Sequence, residues 1–228
     1  GVGDRDRRPP RRNPAWEGVE HNDFGTDEFM DFCRTVGAEP VVTANMGFGD
    51  AYSAAQWVEY CNSGGETVGG RMRIDNGTPE PFDVELWCVG NEMWGTWQLG
   101  YMHLDQYTLV LVGSGDIRSR SQSLNSDRER GWSEGMLQDS ADYMTHLSEH
   151  FYAGRIPWEP ERGRVPVEEH VTQIAEFIKF IADGHRELQA GIPELEGRTM
   201  PIAMTEWNYW HREYVYGELG CVYELQDA

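Results

Sequence analysis

Two short stretches of this chain hold residues that could do chemistry together. Val89-Gly90-Asn91-Glu92 follows the apolar run Leu86-Trp87-Cys88, and Met204-Thr205-Glu206-Trp207-Asn208 follows Pro201-Ile202-Ala203. Each is a strand-like run that ends in a glutamate beside polar or aromatic neighbours. A glutamate in an apolar strand is rarely a mere core residue, because an unpaired buried carboxylate is costly. Two carboxylates on the ends of two strands suit glycoside hydrolysis. One donates a proton to the leaving oxygen, and the other attacks or stabilises the sugar cation.

The elements that must position this pair can be read from the apolar periodicity. Thr26 reads as the N-cap of a helix with Asp27 and Glu28 in its first turn, an apolar face of Phe29, Met30, Phe32, Cys33 and Val36, and a stop at Gly37. Residues 39–45 read as a short buried strand. Residues 53–61 read as a helix with Ala54, Trp57, Val58 and Cys61 inward. Further strands are predicted at 86–89, 109–112, 145–152 and 200–204. The longest helix is predicted at 167–188, with Val171, Ile174, Phe177, Ile178 and Ile181 on one face. Strands that are near-continuous apolar runs and alternate with helices predict a parallel sheet covered by helices. Candidate functional residues just after strands fit the C-terminal face of a (β/α)8 barrel. An open doubly wound sheet is the second choice, and no Gly-rich phosphate loop follows any strand. Residues 119–130 are poor in apolar side chains and predict a mobile loop.

Composition narrows the function. The 228 residues carry a net charge of −20, from 39 acidic and 19 basic side chains, and Lys179 is the single lysine. Such a chain will not seek nucleic acid phosphates or anionic membrane surfaces. The Arg-rich segment 1–13 is interleaved with Asp4 and Asp6 and reads as a solvated loop rather than a nucleic-acid arm. The acidic bias also fits a high-salt cytoplasm, and equal stability with and without salt would sink that idea. Cys33, Cys61, Cys88 and Cys221 form no C-x-x-C pair and read as buried thiols in a reducing compartment, which predicts a cytoplasmic protein without a signal peptide. No apolar run is long enough to span a membrane. Nine Trp and ten Tyr supply flat faces suited to stacking on sugars, although a well-filled core explains many of them.

Trp87-Cys88-Val89-Gly90-Asn91-Glu92-Met93, followed by Trp97-Gln98, resembles the acid/base motif of family 51 α-L-arabinofuranosidases. Met204-Thr205-Glu206-Trp207-Asn208-Tyr209-Trp210 resembles the nucleophile motif of the same family. The likeness continues through Trp16-Glu17-Gly18-Val19-Glu20-His21-Asn22, Gly37-Ala38-Glu39-Pro40, Trp57-Val58-Glu59-Tyr60-Cys61-Asn62 and Ser148-Glu149-His150-Phe151-Tyr152, in the family's order. Asn-Glu alone is shared by many barrel glycosidases. The full series is specific.

The resemblance implies a retaining mechanism with Glu92 as general acid/base on barrel strand four and Glu206 as nucleophile on strand seven. It implies Asn91 at the sugar 2-hydroxyl, Tyr152 near the nucleophile and Trp16 as a subsite-wall aromatic, with no metal and no cofactor; His150, on the strand face of Tyr152 by period-two alternation, and Trp207 are further candidate substrate contacts. The implied partner is an arabinofuranoside-containing oligosaccharide or polysaccharide, with a possible homo-oligomer, a hexamer in the family. The fold class is then α/β, a (β/α)8 TIM-barrel glycosidase domain. It is expected to be incomplete: residues 1–228 would form one truncated catalytic domain of about strands three to seven, with no C-terminal β-sandwich and a tendency to associate. Only 16 residues separate Glu92 from the strand predicted at Leu109, which shortens the crossover, and Thr205 stands where the family often carries Asp.

Three rivals are weighed against this. His146-Leu147-Ser148-Glu149-His150 fits the H-x-x-E-H pattern of a zinc peptidase, which requires a helix to bring both histidines to one face. An endo-acting xylanase or cellulase-like enzyme would also use an Asn-Glu acid/base. The third is a catalytically dead, sugar-binding fragment of the same fold.

Overall fold

Helices alternate with parallel strand pairs, as the apolar runs predict. The structure, a computed structural model, describes residues 5–14, 18–110, 120–122, 129–153, 158–159, 163–164 and 166–209. The chain divides into two units, Gly1–Met102 and His103–Ala228.

In the first unit, the two-residue strands β1 (Arg11–Arg12) and β2 (Val19–Glu20) pair antiparallel ahead of helix α1 (Thr26–Val36). Strand β3 (Val41–Ala44), helices α2 (Ala51–Asn62) and α3 (Val68–Asp75), and strand β4 (Leu86–Val89) follow. β3 and β4 pair parallel, from Val41 opposite Leu86 to Ala44 opposite Val89. Met30, Val42, Tyr60, Cys61 and Val84 form the core, and Phe29, Trp57, Phe82 and Trp87 pack against it. Burial drives the Cys61 thiol up to about 12, which keeps it protonated.

The N-cap of α1 is Gly25 rather than Thr26. Thr26 is buried, and its hydroxyl accepts a hydrogen bond from Trp57 Nε1 at 3.1 Å, so it is not available to cap. Glu28 reaches back to the Gly25 N–H at 2.8 Å instead. Gly37 ends the helix in the left-handed conformation at φ 72°, as predicted. The buried stripe is Thr26, Met30 and Cys33, while Phe32 and Val36, expected inside, are more than half exposed. Val58 of α2 is likewise exposed, its place in the core taken by Tyr60. Arg8 is no solvated loop residue: it grips Glu28 with both terminal nitrogens. Arg73 is fully buried, and its guanidinium donates to the carbonyls of Tyr60, Ser63, Thr78 and Pro79, joining α2 to the segment ahead of β4.

The second unit begins with helix α4 (Leu104–Val110), where a strand was expected at 109–112. Leu104 and Tyr107 are both buried at helical spacing, and Tyr107 stacks on Trp132, so the local period is three rather than two. Residues 111 and 112 lie outside the described residues. The expected mobile loop contains strands β5 (Arg120–Gln122) and β6 (Glu129–Gly131), paired antiparallel. Helix α5 (Trp132–Ser140), strand β7 (Leu147–Ala153), the antiparallel strands β8 (Trp158–Glu159) and β9 (Gly163–Arg164), helix α6 (Val167–Ala190) and strand β10 (Ile202–Tyr209) complete it.

β7 and β10 pair parallel. Gln189 of α6 holds the start of β10, donating to Met200 O at 3.0 Å and accepting from Met200 N at 2.7 Å. On α6 the buried line is Ile181, His185 and Gln189, whereas Val171, Phe177 and Ile178 remain more than a third exposed. Parallel pairs with intervening helices match the α/β expectation. Among the described residues every sheet has two strands and no barrel closes. No described helix is long and apolar enough to cross a membrane.

Candidate active site

Glu206 reaches its site through an irregularity. Met204 pairs with Glu149, but Glu206, two residues on, pairs with His150, so Thr205 is an extra residue in β10. In a regular strand Met204 and Glu206 would share one face. The bulge breaks the alternation and moves Glu206 onto the face of His150 and Tyr152. The Tyr152 hydroxyl donates to Glu206 Oε2 at 2.6 Å, and His150 Nδ1 lies 3.4 Å from the same oxygen. His150 is buried and Tyr152 and Glu206 are half-buried.

Glu92 also follows an irregular segment. Gly90 N–H extends the β3–β4 ladder to Ala44 O at 3.0 Å. Gly90 then turns left-handed at φ 71°, where a Cβ would run into the Met93 side chain. Glu92 itself adopts φ 49°, a conformation that costs a non-glycine residue of order 1 kcal/mol and concentrates at functional sites. Its carbonyl accepts from Gly95 N–H at 2.7 Å, and that tight turn brings Trp97 and Gln98 back to the carboxylate. Trp97 Nε1 and Gln98 Nε2 each donate to Glu92 Oε2 at 3.2 Å. Trp94 meets Trp97 edge to face, with ring centroids 5.1 Å apart. Trp97 is 54 % exposed, so its ring borders the site from solvent. Trp97 and Gln98 belong to the recognised motif, but their hold on Glu92 depends on the Gly95 turn, which spacing alone does not reveal.

The remaining predicted site residues divide. Asn91 is exposed beside Glu92. Trp207 pairs with Phe151, on the face of the strand opposite Glu206, and is 68 % exposed. Trp16 lies outside the described residues. The three side chains of the zinc pattern go three ways. Exposed His146 turns to Thr145 Oγ1, buried Glu149 meets His185 Nε2 at 2.7 Å, and His150 faces Glu206. Residues 147–150 are on a strand, not on the helix that the zinc reading requires.

The model of the alpha-L-arabinofuranosidase 1 domain matches residues 1–153. A probable alpha-L-arabinofuranosidase C of Aspergillus terreus is 46 % identical over the whole chain, which covers 48 % of that protein. An intracellular exo-alpha-(1->5)-L-arabinofuranosidase of Acetivibrio thermocellus is 28 % identical over 92 % of the chain and 43 % of its own length. The chain thus spans about half the length of the curated relatives it matches. Among solved structures, an arabinose complex of the Thermotoga maritima alpha-L-arabinofuranosidase superposes with a TM-score of 0.78 at 31 % identity, covering all of this chain and 46 % of that one. A family 51 enzyme of Thermotoga petrophila gives 0.71 at 32 % identity, covering 94 % and 44 %. With a family model over two thirds of its residues, the chain belongs to the family 51 alpha-L-arabinofuranosidases.

Proposed function

We propose that this chain is part of the catalytic (β/α)8 domain of a retaining enzyme that releases terminal α-L-arabinofuranosyl residues from arabinose-containing oligosaccharides or polysaccharides. The single observation that carries the reading is Glu206, turned by a bulge onto the face where Tyr152 and His150 meet its Oε2. That arrangement suits a nucleophile: Oε2 is engaged and Oε1 attacks the anomeric carbon. Glu92 protonates the leaving oxygen in the first step and takes a proton from water in the second. Trp97 and Gln98 fix its Oε2 and orient the carboxyl for both transfers. A retaining enzyme needs its two carboxyls about 5–5.5 Å apart, so both glutamates must serve one furanoside. Asn91 is assigned to the sugar 2-hydroxyl. The thiols of Cys33, Cys61 and Cys88 and the likeness to an enzyme named intracellular support a cytoplasmic site of action.

Hydrolysis of an aryl α-L-arabinofuranoside by the chain tests this, beside Glu92→Ala and Glu206→Ala. Both variants should lose turnover. Azide should restore release with Glu92→Ala and yield the α-arabinofuranosyl azide, because it attacks a glycosyl-enzyme already inverted once. Equal background hydrolysis by all three proteins would refute the reading.

A further inference from the structure

We propose that the buried pair Glu149–His185 is a positioning device that holds strand β7 against helix α6 and thereby keeps Tyr152 and His150 on Glu206. The inference rests on the reading of Glu206 as nucleophile and assigns a role to two residues that never reach the substrate.

The argument starts from alternation. On β7, successive side chains point to opposite faces. Ser148, His150 and Tyr152 share the face that holds Glu206, and Leu147, Glu149 and Phe151 share the other. On that second face each residue next to His150 has a partner on α6. Phe151 packs on Phe177 with centroids 5.4 Å apart, and Glu149 Oε2 lies 2.7 Å from His185 Nε2.

Glu149 is 0 % exposed and His185 is 1 % exposed. Two ionisable groups removed from water this far are not retained for stability, since an apolar pair of the same volume does as well or better. What the polar pair adds is direction. An apolar contact tolerates sliding, whereas a hydrogen bond fixes one residue of β7 against one turn of α6. The proton can be placed as well. Among the described residues His185 Nδ1 is buried without a hydrogen-bond partner. An orphaned buried N–H costs more than an orphaned lone pair, so the proton sits on Nε2 and is donated to Glu149.

The bond acts on the site along β7. His150 is the next residue, and Tyr152 is three along the same strand. Its hydroxyl makes a 2.6 Å bond to Glu206, short enough that a shift of 1 Å would break it. Release of the brace therefore frees the nucleophile from its donor without touching either residue.

The test is read on the chain labelled with 13Cζ-tyrosine. Tyr152→Phe assigns the Tyr152 resonance, and Glu206→Ala gives its position without the carboxylate. In His185→Phe and Glu149→Ala, the resonance should move at least halfway from the wild-type position towards that of Glu206→Ala. His185→Gln, whose amide can place an N–H near the lost Nε2, should restore it. On an aryl arabinofuranoside, His185→Phe should lower kcat roughly ten- to a hundredfold with KM within about twofold. An unmoved Tyr152 resonance in folded His185→Phe would overturn the proposal. So would failure of His185→Gln to restore it, or an unchanged kcat. If both disrupting variants and His185→Gln leave the chain unfolded by circular dichroism, the pair braces the fold and not the site, and the proposal is likewise wrong. The resonance needs no turnover, so an inactive wild-type chain would refute the functional reading and leave this result standing.

Discussion

Arg8 and Glu28 carry a quantitative prediction about the start of the chain. Arg8 Nη1 and Nη2 donate to the two Glu28 oxygens at 2.9 and 3.0 Å, and the Gly25 N–H donates at 2.8 Å. The hydrogen bonds from Arg8 bring the Glu28 carboxyl down to about 2, against the opposing effect of burial. The folded value is depressed, so the stability it contributes is fully present above the ordinary 4.5 and is lost as pH falls through about 2. At about 1.36 kcal/mol per pH unit, the gap is worth roughly 3 kcal/mol at neutral pH. The Glu28 side chain is 29 % exposed, and solvent screening lowers this to roughly 2 kcal/mol. Linkage leaves roughly 1 kcal/mol of it at pH 3. A double-mutant cycle over Arg8→Met and Glu28→Gln, followed by urea unfolding at pH 7 and pH 3, isolates this pair from the many other carboxylates. The coupling energy should be about 2 kcal/mol at pH 7 and half that or less at pH 3. A coupling below about 0.5 kcal/mol at pH 7, or one that is equal at both pH values, would refute the reasoning.

Tyr152→Phe removes one hydrogen bond to a charged group and little volume, so kcat on an aryl arabinofuranoside should fall roughly 10- to 100-fold. A loss confined to KM would show that Tyr152 binds sugar instead of supporting Glu206. Among the described residues the buried Thr205 Oγ1 has no hydrogen-bond partner, and Thr205→Val keeps its shape. Urea midpoints should show this variant as stable as the parent or up to about 1 kcal/mol more so. Arg73→Met leaves the carbonyls of Tyr60, Ser63, Thr78 and Pro79 without their donor, and should cost at least about 3 kcal/mol in chemical unfolding. A cost near zero would mean that those carbonyls find other donors.

The elements that present the glutamates were legible because their signals are local. The apolar run before Glu92 gave β4 its bounds, the helix stop at Gly37 is a backbone preference of that residue, and α6 shows a long 3.6-residue period. Which face of each helix is buried was less legible. Phe32 and Val36 have the right spacing, yet packing selected Thr26, Met30 and Cys33. Helix α4 was missed because Leu109 and Val110, read with the apolar residues after them, look like a strand, while Leu104 and Tyr107 set the helical phase. At the site, the glutamates and Tyr152 were readable from their motifs. The Thr205 bulge was not, because it exists only in the pairing of β10 with β7. The Glu149–His185 bond joins residues 36 apart, and pattern reading instead placed Glu149 in a zinc motif.

Both glutamates are delivered by departures from regular backbone, and the reason is geometric. A regular strand offers side chains on two faces only, fixed by position and set by what the core needs. The residues before Glu206 alternate to suit their surroundings, so a carboxylate at that position would follow Met204 to the wrong face. Leaving Thr205 out of the pairing as a bulge corrects the phase, at the cost of one unpaired residue and one buried hydroxyl that has no partner among the described residues. Glu92 stands past the last ladder bond of β4, where Gly90 and its own left-handed φ turn the chain so that Trp97 and Gln98 can reach the carboxylate. Each departure persists only because neighbouring bonds over-determine it: Gly90 to Ala44 and Gly95 to Glu92 in one case, Tyr152 to Glu206 in the other. Deletion of Thr205 makes Glu206 the residue after Met204, so regular alternation alone then places it opposite His150 and on the face of Tyr152. The deletion variant should therefore keep the Tyr152 resonance at its wild-type position and lose no stability, since it restores a regular ladder and removes a hydroxyl that has no partner among the described residues. A Tyr152 resonance moved to its position in Glu206→Ala would show that the bulge does more than absorb one residue.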